Sequence, residues 1–301
     1  MRRRITLVST DAGPGHNCGL ALGLQKYGHV SVVWENHSPH KIALDVPSVR
    51  YGYKHINRGD DIIIVGCLAY NRIFSNVHRR AKIRNNFSRI HVIITDGLFA
   101  RDPDKYNHLF RTYDVITNGC KRHFRGNLKT KTFYQPFDLS HIDQTKNDEL
   151  TISHSPFGLM KFREKGTEQI IEATNGHNFD LITKVSWDKC LKRKAKSHIF
   201  VDQVDHYDRS KFKFRSKDYV WPALGKSGIE AMHLGCCVIT HGKGYDTDIP
   251  APPVAWCNGN FREVLDYYIE NESERIKLAA KQKAWALKYA SYDFAAQQVL
   301  K

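Results

Sequence analysis

The chain has 301 residues and a net charge of +15; 41% of its residues are hydrophobic and 26% are charged. The length allows two domains with substantial cores, and the composition is that of an ordinary globular protein. No apolar run approaches the roughly 18 residues of a membrane-spanning helix, and the apolar stretch after the basic start is too short for a signal peptide, so we expect a cytoplasmic protein.

Strand-like apolar runs alternate with helical stretches through the first half of the chain, as in a parallel sheet covered by helices. The first run, Ile5–Ser9, is followed by a glycine-containing loop and an apolar helix that ends at Tyr27 and Gly28. Further expected strands are His29–Trp34, Asp61–Val65, Arg89–Thr95 and Asp114–Thr117. A hinge is expected at residues 135–138, where Pro136 restricts its neighbour and a polar stretch follows.

A second series of strands and helices begins after this hinge. Its expected strands are Leu150–His154, Asp180–Lys184, His198–Gln203 and Cys237–Thr240, and its expected helices are Gly166–Ala173, Trp187–Ala195 and Ser227–Leu234. The tail, residues 260–300, has apolar residues at helical spacing. The sequence therefore predicts an α/β protein with two Rossmann-like domains that face each other across a cleft.

The cysteines indicate neither a zinc site nor a disulfide framework. Seven of them are scattered along the chain, at positions 18, 67, 120, 190, 236, 237 and 257. Their number is odd, and no two form a Cys-x-x-Cys pair. We expect buried free thiols in a reducing cytoplasm.

A glycine-rich turn precedes the last helix of the second series. Gly225 and Gly228 flank Lys226 and Ser227, and Glu230 lies about one turn into the helix. A helix N-terminus presents free N–H groups and the positive end of the helix dipole, which suits a phosphate. An ordinary strand-to-helix turn with a surface glutamate would give the same pattern.

The motif Gly-Lys-Ser-Gly-Ile-Glu-Ala-Met at residues 225–232, followed by a glycine and a small apolar strand, resembles the donor-site helix of GT-B glycosyltransferases. It is most similar to the retaining, nucleotide-sugar-dependent enzymes of glycosyltransferase family 4. In that family the helix N-terminus faces the donor diphosphate, and the glutamate before Ala-Met holds the ribose hydroxyls. The resemblance implies that Glu230 is the ribose ligand and that Gly225 to Gly228 form the phosphate turn.

The resemblance covers residues 150–240 well and the first 138 residues weakly. It implies a GT-B fold with an acceptor-binding domain at 1–138, a nucleotide-sugar-binding domain at 139–290, and a last helix at 291–301 that returns to the first domain. Lys165 matches the family's diphosphate-binding lysine, and its basic companion is Arg163 or Lys161. The family's second glutamate, which touches the transferred sugar, is replaced here by Pro222, so the chain departs from the family in its sugar contact.

The donor implied by the resemblance is a nucleoside diphosphate sugar, with UDP as the expected nucleotide. GT-B enzymes stabilise the diphosphate with helix dipoles and cations rather than with a metal ion. Asp246 and Asp248 form an Asp-x-Asp sequence, but they lie in a loop flanked by Gly and Pro and are read as a turn. We therefore expect no metal and no prosthetic group in the core chemistry.

Two candidate sites follow the strands of the first half. Gly13, Gly15 and His16 come after the first strand, where a glycine loop can approach a ligand closely, and His16 either donates to a phosphate or caps the helix. Asp96 follows the strand Arg89–Thr95, and the carboxyl end of a parallel strand faces the ligand crevice. If the enzyme inverts, Asp96, ahead of Asp11, is the candidate base for an acceptor hydroxyl; the alternative is a helix N-cap.

Positive charge is concentrated in the first half. Residues 1–138 contain 22 Lys or Arg against 10 Asp or Glu, a net of +12, whereas residues 139–301 contain 24 against 21, a net of +3. Three basic runs stand out, and their candidate nucleic-acid contacts are Arg79, Arg80, Lys82 and Arg84, then Lys121, Arg122 and Arg125, then Lys211, Lys213 and Arg215. Cations neutralise backbone phosphates, and the aromatic residues interleaved in the third run can stack on bases. Each run alone is also compatible with a solvated face.

These patterns together predict a glycosyltransferase whose acceptor is double-stranded DNA, with the sugar placed on a hydroxymethylated base. Virus-encoded DNA glycosyltransferases act in this way, and the protein would then work in the host cytoplasm. A base within a duplex would have to be flipped out, at a cost of a few kcal/mol. Two alternatives stay open: transfer to a cell-surface glycan or lipid-linked acceptor, and a non-catalytic nucleic-acid-binding protein on the same scaffold.

Overall fold

The structure is a computed structural model that describes residues 2–9, 18–34, 49–51, 53–56, 58–65, 67–94, 114–118, 131–156, 165–204, 224–241 and 249–301. Within these ranges the chain forms two β-sheets with helices packed against them. Every strand pairing in both sheets is parallel.

The first sheet is built from the first half of the chain. Its strands are β1 (Arg3–Ser9), β2 (Gly28–Trp34), β3 (Val49–Tyr51), β4 (Gly59–Val65), β5 (Phe87–Ile94), β6 (Asp114–Asn118) and β7 (Lys131–Phe133). They lie in the order β3-β2-β1-β4-β5-β6-β7. The chain changes direction across the sheet between β1 and β4, and α/β sheets bind ligands at the carboxyl ends of the strands at such a switch point.

Helices cover both faces of this sheet. They are α1 (Cys18–Leu24), α2 (Cys67–Phe74) and α3 (Val77–Asn86), with a 3₁₀ turn at Tyr53–His55. Alternate residues of a strand point to opposite faces, so Leu7 and Ile63 pack in the core with α1. Ile62 and Ile64 pack on the other face with α2 and α3.

The second sheet follows the same principle with a different strand order. Its strands are β8 (Thr151–His154), β9 (Asn178–Leu181), β10 (Ile199–Gln203), β11 (Cys237–His241) and β12 (Ala255–Cys257). The order is β12-β11-β10-β8-β9, so the switch point lies between β8 and β10. The carboxyl ends of these two strands are therefore the place to look for a ligand site.

Five helices accompany this sheet: α4 (Thr167–Ala173), α5 (Trp187–Lys196), α6 (Lys226–His233), α7 (Phe261–Glu270) and α8 (Glu272–Tyr289). Leu191 of α5, Ile229 of α6 and Ala286 of α8 share one buried cluster. Ile170 of α4 and Leu265 of α7 belong to the cluster on the opposite face. Helices α5 and α6 thus lie on the same face of the sheet, next to the switch point.

The segment between the two sheets packs against the second one. Tyr134, Phe137 and Leu139 are buried in the same cluster as α5 and α6. The Phe137 N–H donates to the carbonyl of Ala290 at 2.9 Å, and the His233 ring nitrogen Nε2 lies 3.1 Å from that carbonyl. One carbonyl group therefore joins the connecting segment, the end of α6 and the end of α8. The domain boundary expected at residue 138 stays a prediction.

The last helix, α9 (Tyr292–Leu300), contacts α1, which confirms the predicted return to the first domain. Its residues Ala295, Ala296 and Val299 are buried in the core of the first sheet. The contact is close because α1 carries glycines: a Cβ at Gly23 would lie 2.1 Å from the carbonyl oxygen of Tyr292. The tail is helical over three segments, as its apolar spacing predicts.

Several element boundaries differ from the sequence prediction. Strand β9 occupies Asn178–Leu181 rather than Asp180–Lys184, and Lys184 has a left-handed backbone with φ 53°, which no strand residue adopts. Helix α4 begins at Thr167, because Gly166 is its N-cap with φ 68°. The three-residue strands β3, β7 and β12 and the helices α2 and α3 were not predicted.

Candidate functional site

The site begins at the turn before α6, which sits at the switch point of the second sheet. Gly225 is the N-cap of α6, and no side chain caps the helix from that position. Its N–H donates instead to the buried carboxylate of Asp202 on β10, at 2.6 Å from Oδ2. Asp202 thereby fixes the start of α6 against the end of β10.

The same aspartate holds Lys165. The ammonium Nζ of Lys165 lies 2.5 Å from Asp202 Oδ1, and the Lys165 side chain is 13% exposed. A cation that follows β8 and a helix start that follows β10 are therefore joined through one carboxylate. The resemblance assigns both Lys165 and the glycine turn to the donor diphosphate. In the structure Asp202, which was not among the predicted residues, holds the two together.

Gly228 is closely surrounded in this arrangement. A Cβ at this position would lie 2.4 Å from Leu224 Cδ1 and 3.2 Å from Asp202 Oδ2. Real Cβ contacts do not approach 2.4 Å, so a larger residue would displace Leu224 or the buried carboxylate. The glycine spacing in the motif thus has a packing reason in addition to any contact with a ligand.

Glu230 lies one turn further into α6, and the protein engages both of its carboxylate oxygens. The indole N–H of Trp187 donates to Oε1 at 2.8 Å, and the ammonium of Lys194 donates to Oε2 at 2.6 Å. Lys194 also donates to the Ser227 hydroxyl at 2.9 Å. Both donors to Glu230 come from α5, so the packing of α5 beside α6 sets the orientation of the carboxylate.

Lys226 occupies the first position of α6, between two aromatic rings. Its ammonium lies 5.8 Å from the ring centroid of Phe137 and 5.6 Å from that of Trp187, and 3.7 Å from Glu230 Oε1. Cations are attracted to the faces of aromatic rings. The side chain as a whole remains 34% exposed at the start of the helix.

The electrostatics of this group keep Glu230 charged. Burial alone would raise the pKa of the Glu230 carboxyl, but Lys194 and Lys226 outweigh burial and hold that pKa below its usual value. For Lys226 burial acts in the opposite direction and lowers the pKa of the ammonium, because it disfavours the charged form. At neutral pH the site therefore contains a carboxylate that can accept hydrogen bonds and, through Asp202, a fixed ammonium nearby.

The structure brings together the predicted residues Lys165, Gly225, Lys226, Ser227, Gly228 and Glu230. Other predicted positions lie outside the described residues: Gly13, Gly15, His16, Asp96 and Arg163, together with Asp11, Lys161, Pro222, Asp246 and Asp248. Their roles stay predictions.

Sequence reasoning missed three residues of the site: Trp187, Lys194 and Asp202. A signal was present for Lys194, because it lies beside Leu191 and Ala195 on the buried face of α5. A lysine among buried positions of an amphipathic helix needs a partner. Asp202 gave a similar signal as a carboxylate in an otherwise apolar strand, Ile199–Val201.

The first predicted basic run forms an exposed helix. Arg79, Arg80, Lys82 and Arg84 all lie on α3 and are exposed, and this helix contains no acidic residue. Helix α3 leads directly into the amino end of β5, so its last turn lies at the edge of the sheet opposite to the ligand edge. The other two runs, Lys121, Arg122, Arg125 and Lys211, Lys213, Arg215, lie outside the described residues.

The two parallel sheets, their strand orders and the returning C-terminal helix define the GT-B fold. No model of a known protein family matches the chain. A sequence comparison with curated proteins finds no match either.

Solved structures share the architecture over nearly the whole chain. HepE from Anabaena, in complex with UDP and glucose, matches with a TM-score of 0.65 over 99% of this chain and 98% of that chain, at 12% identity. Sucrose-phosphate synthase from Thermosynechococcus elongatus matches with a TM-score of 0.61 over 99% and 97%, at 12% identity. The catalytic domain of starch synthase IV from Arabidopsis thaliana, bound to ADP and acarbose, matches with a TM-score of 0.59 over 100% of both chains, at 10% identity. At these identities the likeness shows the fold.

Among the described residues, no helix combines the length and the apolar character needed to cross a membrane. The cysteines whose side chains are described, Cys18, Cys190, Cys236, Cys237 and Cys257, are free thiols.

Proposed function

We propose that this protein is a glycosyltransferase that moves a sugar from a nucleoside diphosphate donor to a hydroxyl acceptor. One observation carries the proposal: a buried carboxylate, Glu230, lies one turn inside α6, while Lys165 is fixed at the start of the same helix. A carboxylate accepts hydrogen bonds from ribose hydroxyls, and an ammonium beside a helix N-terminus stabilises phosphates. These two features serve the two halves of a nucleoside diphosphate.

In the proposed reaction the acceptor oxygen bonds to the anomeric carbon of the sugar, and the bond from that carbon to the diphosphate oxygen breaks. The leaving diphosphate gains negative charge, which Lys165, Lys226 and the N–H groups of α6 stabilise. Asp96 is proposed as the base that takes the hydroxyl proton if the configuration inverts, and His16 as a donor to the phosphates. Gly13, Gly15 and Arg163 are proposed as further donor contacts.

The donor is proposed to be a UDP-sugar that needs no metal ion for the core step. HepE was solved with UDP, and starch synthase IV with ADP. Both bound groups are nucleoside diphosphates, which supports this class of donor for a chain with the same fold.

The acceptor is proposed to be a hydroxymethylated base in double-stranded DNA. The four exposed cations of α3 support a polyanion, since no acidic side chain of that helix opposes them. Strand β5 has eight residues and therefore spans about 26 Å. A molecule that contacts the end of α3 and also enters the ligand edge must be long, which favours a polymer over a small acceptor.

The test incubates the protein with a pool of nucleotide sugars and duplex DNA that carries hydroxymethylated pyrimidines, and mass spectrometry then reads the digested nucleosides. The wild-type chain should add a hexose or pentose mass to one nucleoside. Glu230→Gln should raise the donor KM at least tenfold and leave DNA affinity unchanged, while the exposed control Glu168→Gln should change neither.

Other outcomes of this experiment would favour one of the two alternative functions. Donor hydrolysis without a modified nucleoside would keep the transferase and move the acceptor to a glycan or a lipid-linked molecule. Absence of both donor binding and turnover, with DNA binding retained, would contradict the proposal and leave a nucleic-acid-binding protein on a GT-B scaffold.

A further inference from the structure

Lys194 is a buried cation that the proposed reaction does not use directly. The residue is fully buried on α5, and its ammonium lies 2.6 Å from Glu230 Oε2 and 2.9 Å from Ser227 Oγ. It also lies 5.0 Å from the ring centroid of Phe200. Burying an ammonium is costly unless it is paired and hydrogen-bonded. The position of Lys194 on the apolar face of α5 is therefore tolerated because Glu230 faces it.

The pairing also constrains Glu230. Lys194 holds Oε2, and Trp187 holds Oε1, so α5 fixes one contact on each oxygen of the carboxylate. A carboxylate oxygen has two lone pairs, and each oxygen retains the capacity to accept from a hydroxyl. An orientation fixed before a ligand arrives reduces the entropy cost of binding.

We propose that Lys194 is a positioning residue, which holds Glu230 ionised and oriented to accept hydrogen bonds from the sugar hydroxyls of the donor nucleoside. The inference rests on the proposed function. Lys194 is assigned no contact with the donor itself, because its side chain is 1% exposed and Glu230 and Ser227 accept two of its three N–H groups.

The charged and titratable groups around Glu230 define what happens when Lys194 is removed. Lys194 of α5 and Lys226 and His233 of α6 interact with Glu230 itself, while Cys190 of α5 and Asp202 of β10 interact with Lys194. Among the residues that the structure describes, Lys226 then remains as the close cation, at 3.7 Å and partly exposed. In Lys194→Met, burial is then opposed by a weaker partner, so the pKa of the carboxyl rises.

This predicts a pH dependence that a purely structural lysine would not produce. The terminal phosphate of UDP, ADP and GDP itself titrates at about pH 6, so calorimetric titration compares the affinity of each variant with that of the wild-type chain at the same pH, between pH 5 and 8. In Lys194→Met this ratio should fall as the pH falls, by about tenfold per pH unit below the pKa of the carboxyl, because protonated Glu230 must release its proton on binding. Lys194→Arg should restore a ratio that does not depend on pH.

Lys192→Met is the matched control, since Lys192 lies on the same helix with its side chain 64% exposed. It should bind nucleotide as the wild-type chain does at every pH. If the affinity of Lys194→Met is lower than that of the wild-type chain by the same factor at all pH values, the inference is overturned. Such a result would mean that Lys194 supports the packing of the site and does not control the ionisation of Glu230.

A second measurement follows the Glu230 carboxyl without any nucleotide. Carbon-13 NMR of this carboxyl, assigned by its loss in Glu230→Gln, should show titration below the usual range for glutamate in the wild-type chain and at a higher pH in Lys194→Met. Titration above the usual range in the wild-type chain, or at the same pH in both proteins, would overturn the inference. If the wild-type chain binds none of the three nucleotides, the proposed function fails, and this comparison still decides whether Lys194 holds Glu230 ionised.

Discussion

The buried charges of the candidate site occur in pairs, and each pair joins two segments of the second domain that are distant in the sequence. Lys165 pairs with Asp202, and Lys194 pairs with Glu230. A buried pair contributes little net stability, yet removing one partner costs about 3–5 kcal/mol because the other charge is left buried and unpaired. Single substitutions at these residues should therefore affect folding as well as binding, and the two effects need separate measurements.

Asp202→Asn tests the contribution of this aspartate to stability. The amide has one acceptor oxygen, whereas Asp202 accepts from both Lys165 and the Gly225 N–H. One of these donors loses its partner and faces an NH₂ group, and Lys165 loses its counter-charge, so the free energy of unfolding should fall by about 3–5 kcal/mol. Urea denaturation measures the change.

The control for this variant is Asp188→Asn on α5. Asp188 forms an exposed pair with Lys192 at 2.9 Å, and surface pairs contribute little. Equal stability of Asp202→Asn and the wild-type chain would show that Asp202 does not organise the helix start.

Two buried histidines make stability depend on pH. Burial lowers the pKa of His154 to about 3 and that of His233 to about 4. Between pH 6.5 and 4 these histidines are protonated in the unfolded state but neutral in the folded state. The free energy of unfolding therefore falls as the pH falls. From pH 7 to pH 5 each histidine should remove up to about 2 kcal/mol.

Urea denaturation at pH 7 and pH 5 tests this, with His233→Gln as the comparison. The variant should lose less stability over the same interval, since His233 no longer contributes. Identical losses in both proteins would exclude His233 from the pH effect.

At the scale of elements, the docking of α9 on α1 depends on two glycines of α1, which have no side chain. Gly19 and Gly23 face Tyr292, and a Cβ at Gly19 would lie 2.6 Å from Tyr292 Cε1. Lys26 and Tyr27 add polar contacts to Asp293, at 3.3 and 3.1 Å. The close approach of the two helices is thus a steric property of the glycines.

Gly23→Ala should displace α9. The added methyl would overlap the Tyr292 carbonyl, and such overpacking costs about 1–3 kcal/mol. Hydrogen exchange should show faster exchange of the amide protons in α9 and α1, with those of α4 unchanged. Glu168→Ala, on the exposed side of α4, serves as the control variant. Unaltered exchange in α9 would contradict the steric explanation.

The sequence predicts elements well where the local pattern is strong. Helix α6 was predicted within one residue at each end, because glycines bracket it and an apolar strand follows. Strand β9 lies closer to the amino end than predicted, and the left-handed backbone of Lys184 excludes that residue from a strand. The short strands β3, β7 and β12 have too few residues for a periodic signal. Their place is set by pairing with longer neighbours.

The candidate site was predictable only in part, for a related reason. Lys165 and Glu230 lie in recognisable local motifs, whereas Asp202, Lys194 and Trp187 act through contacts with residues 23 to 43 positions away. Local spacing does not encode such contacts. They follow from the strand order and from the packing of α5 beside α6.

At the scale of the whole molecule, the charge asymmetry predicts a salt dependence. Replacement of Arg79, Arg80, Lys82 and Arg84 by Gln should weaken binding to duplex DNA and lower the slope of log K against log salt by up to about 3.6, since each phosphate contact contributes about 0.9. Filter binding between 50 and 200 mM salt measures the slope.

The control replaces four exposed lysines of the second half, Lys189, Lys192, Lys277 and Lys281, by Gln. It removes the same charge from the molecule and should leave the slope nearly unchanged. Equal slopes for the two quadruple variants would mean that net charge, and not the α3 surface, attracts the polymer.

The position of α9 also sets the order in which the protein can fold during synthesis. The apolar side chains of Leu20 and Leu24 are made early, but the helix that covers them, Tyr292–Leu300, follows the whole second sheet in the chain. Domains usually fold as they leave the ribosome, the first one first. Here the core of the first domain is complete only after the second sheet has been made, so a nascent chain exposes this apolar face for as long as the second sheet takes to be made.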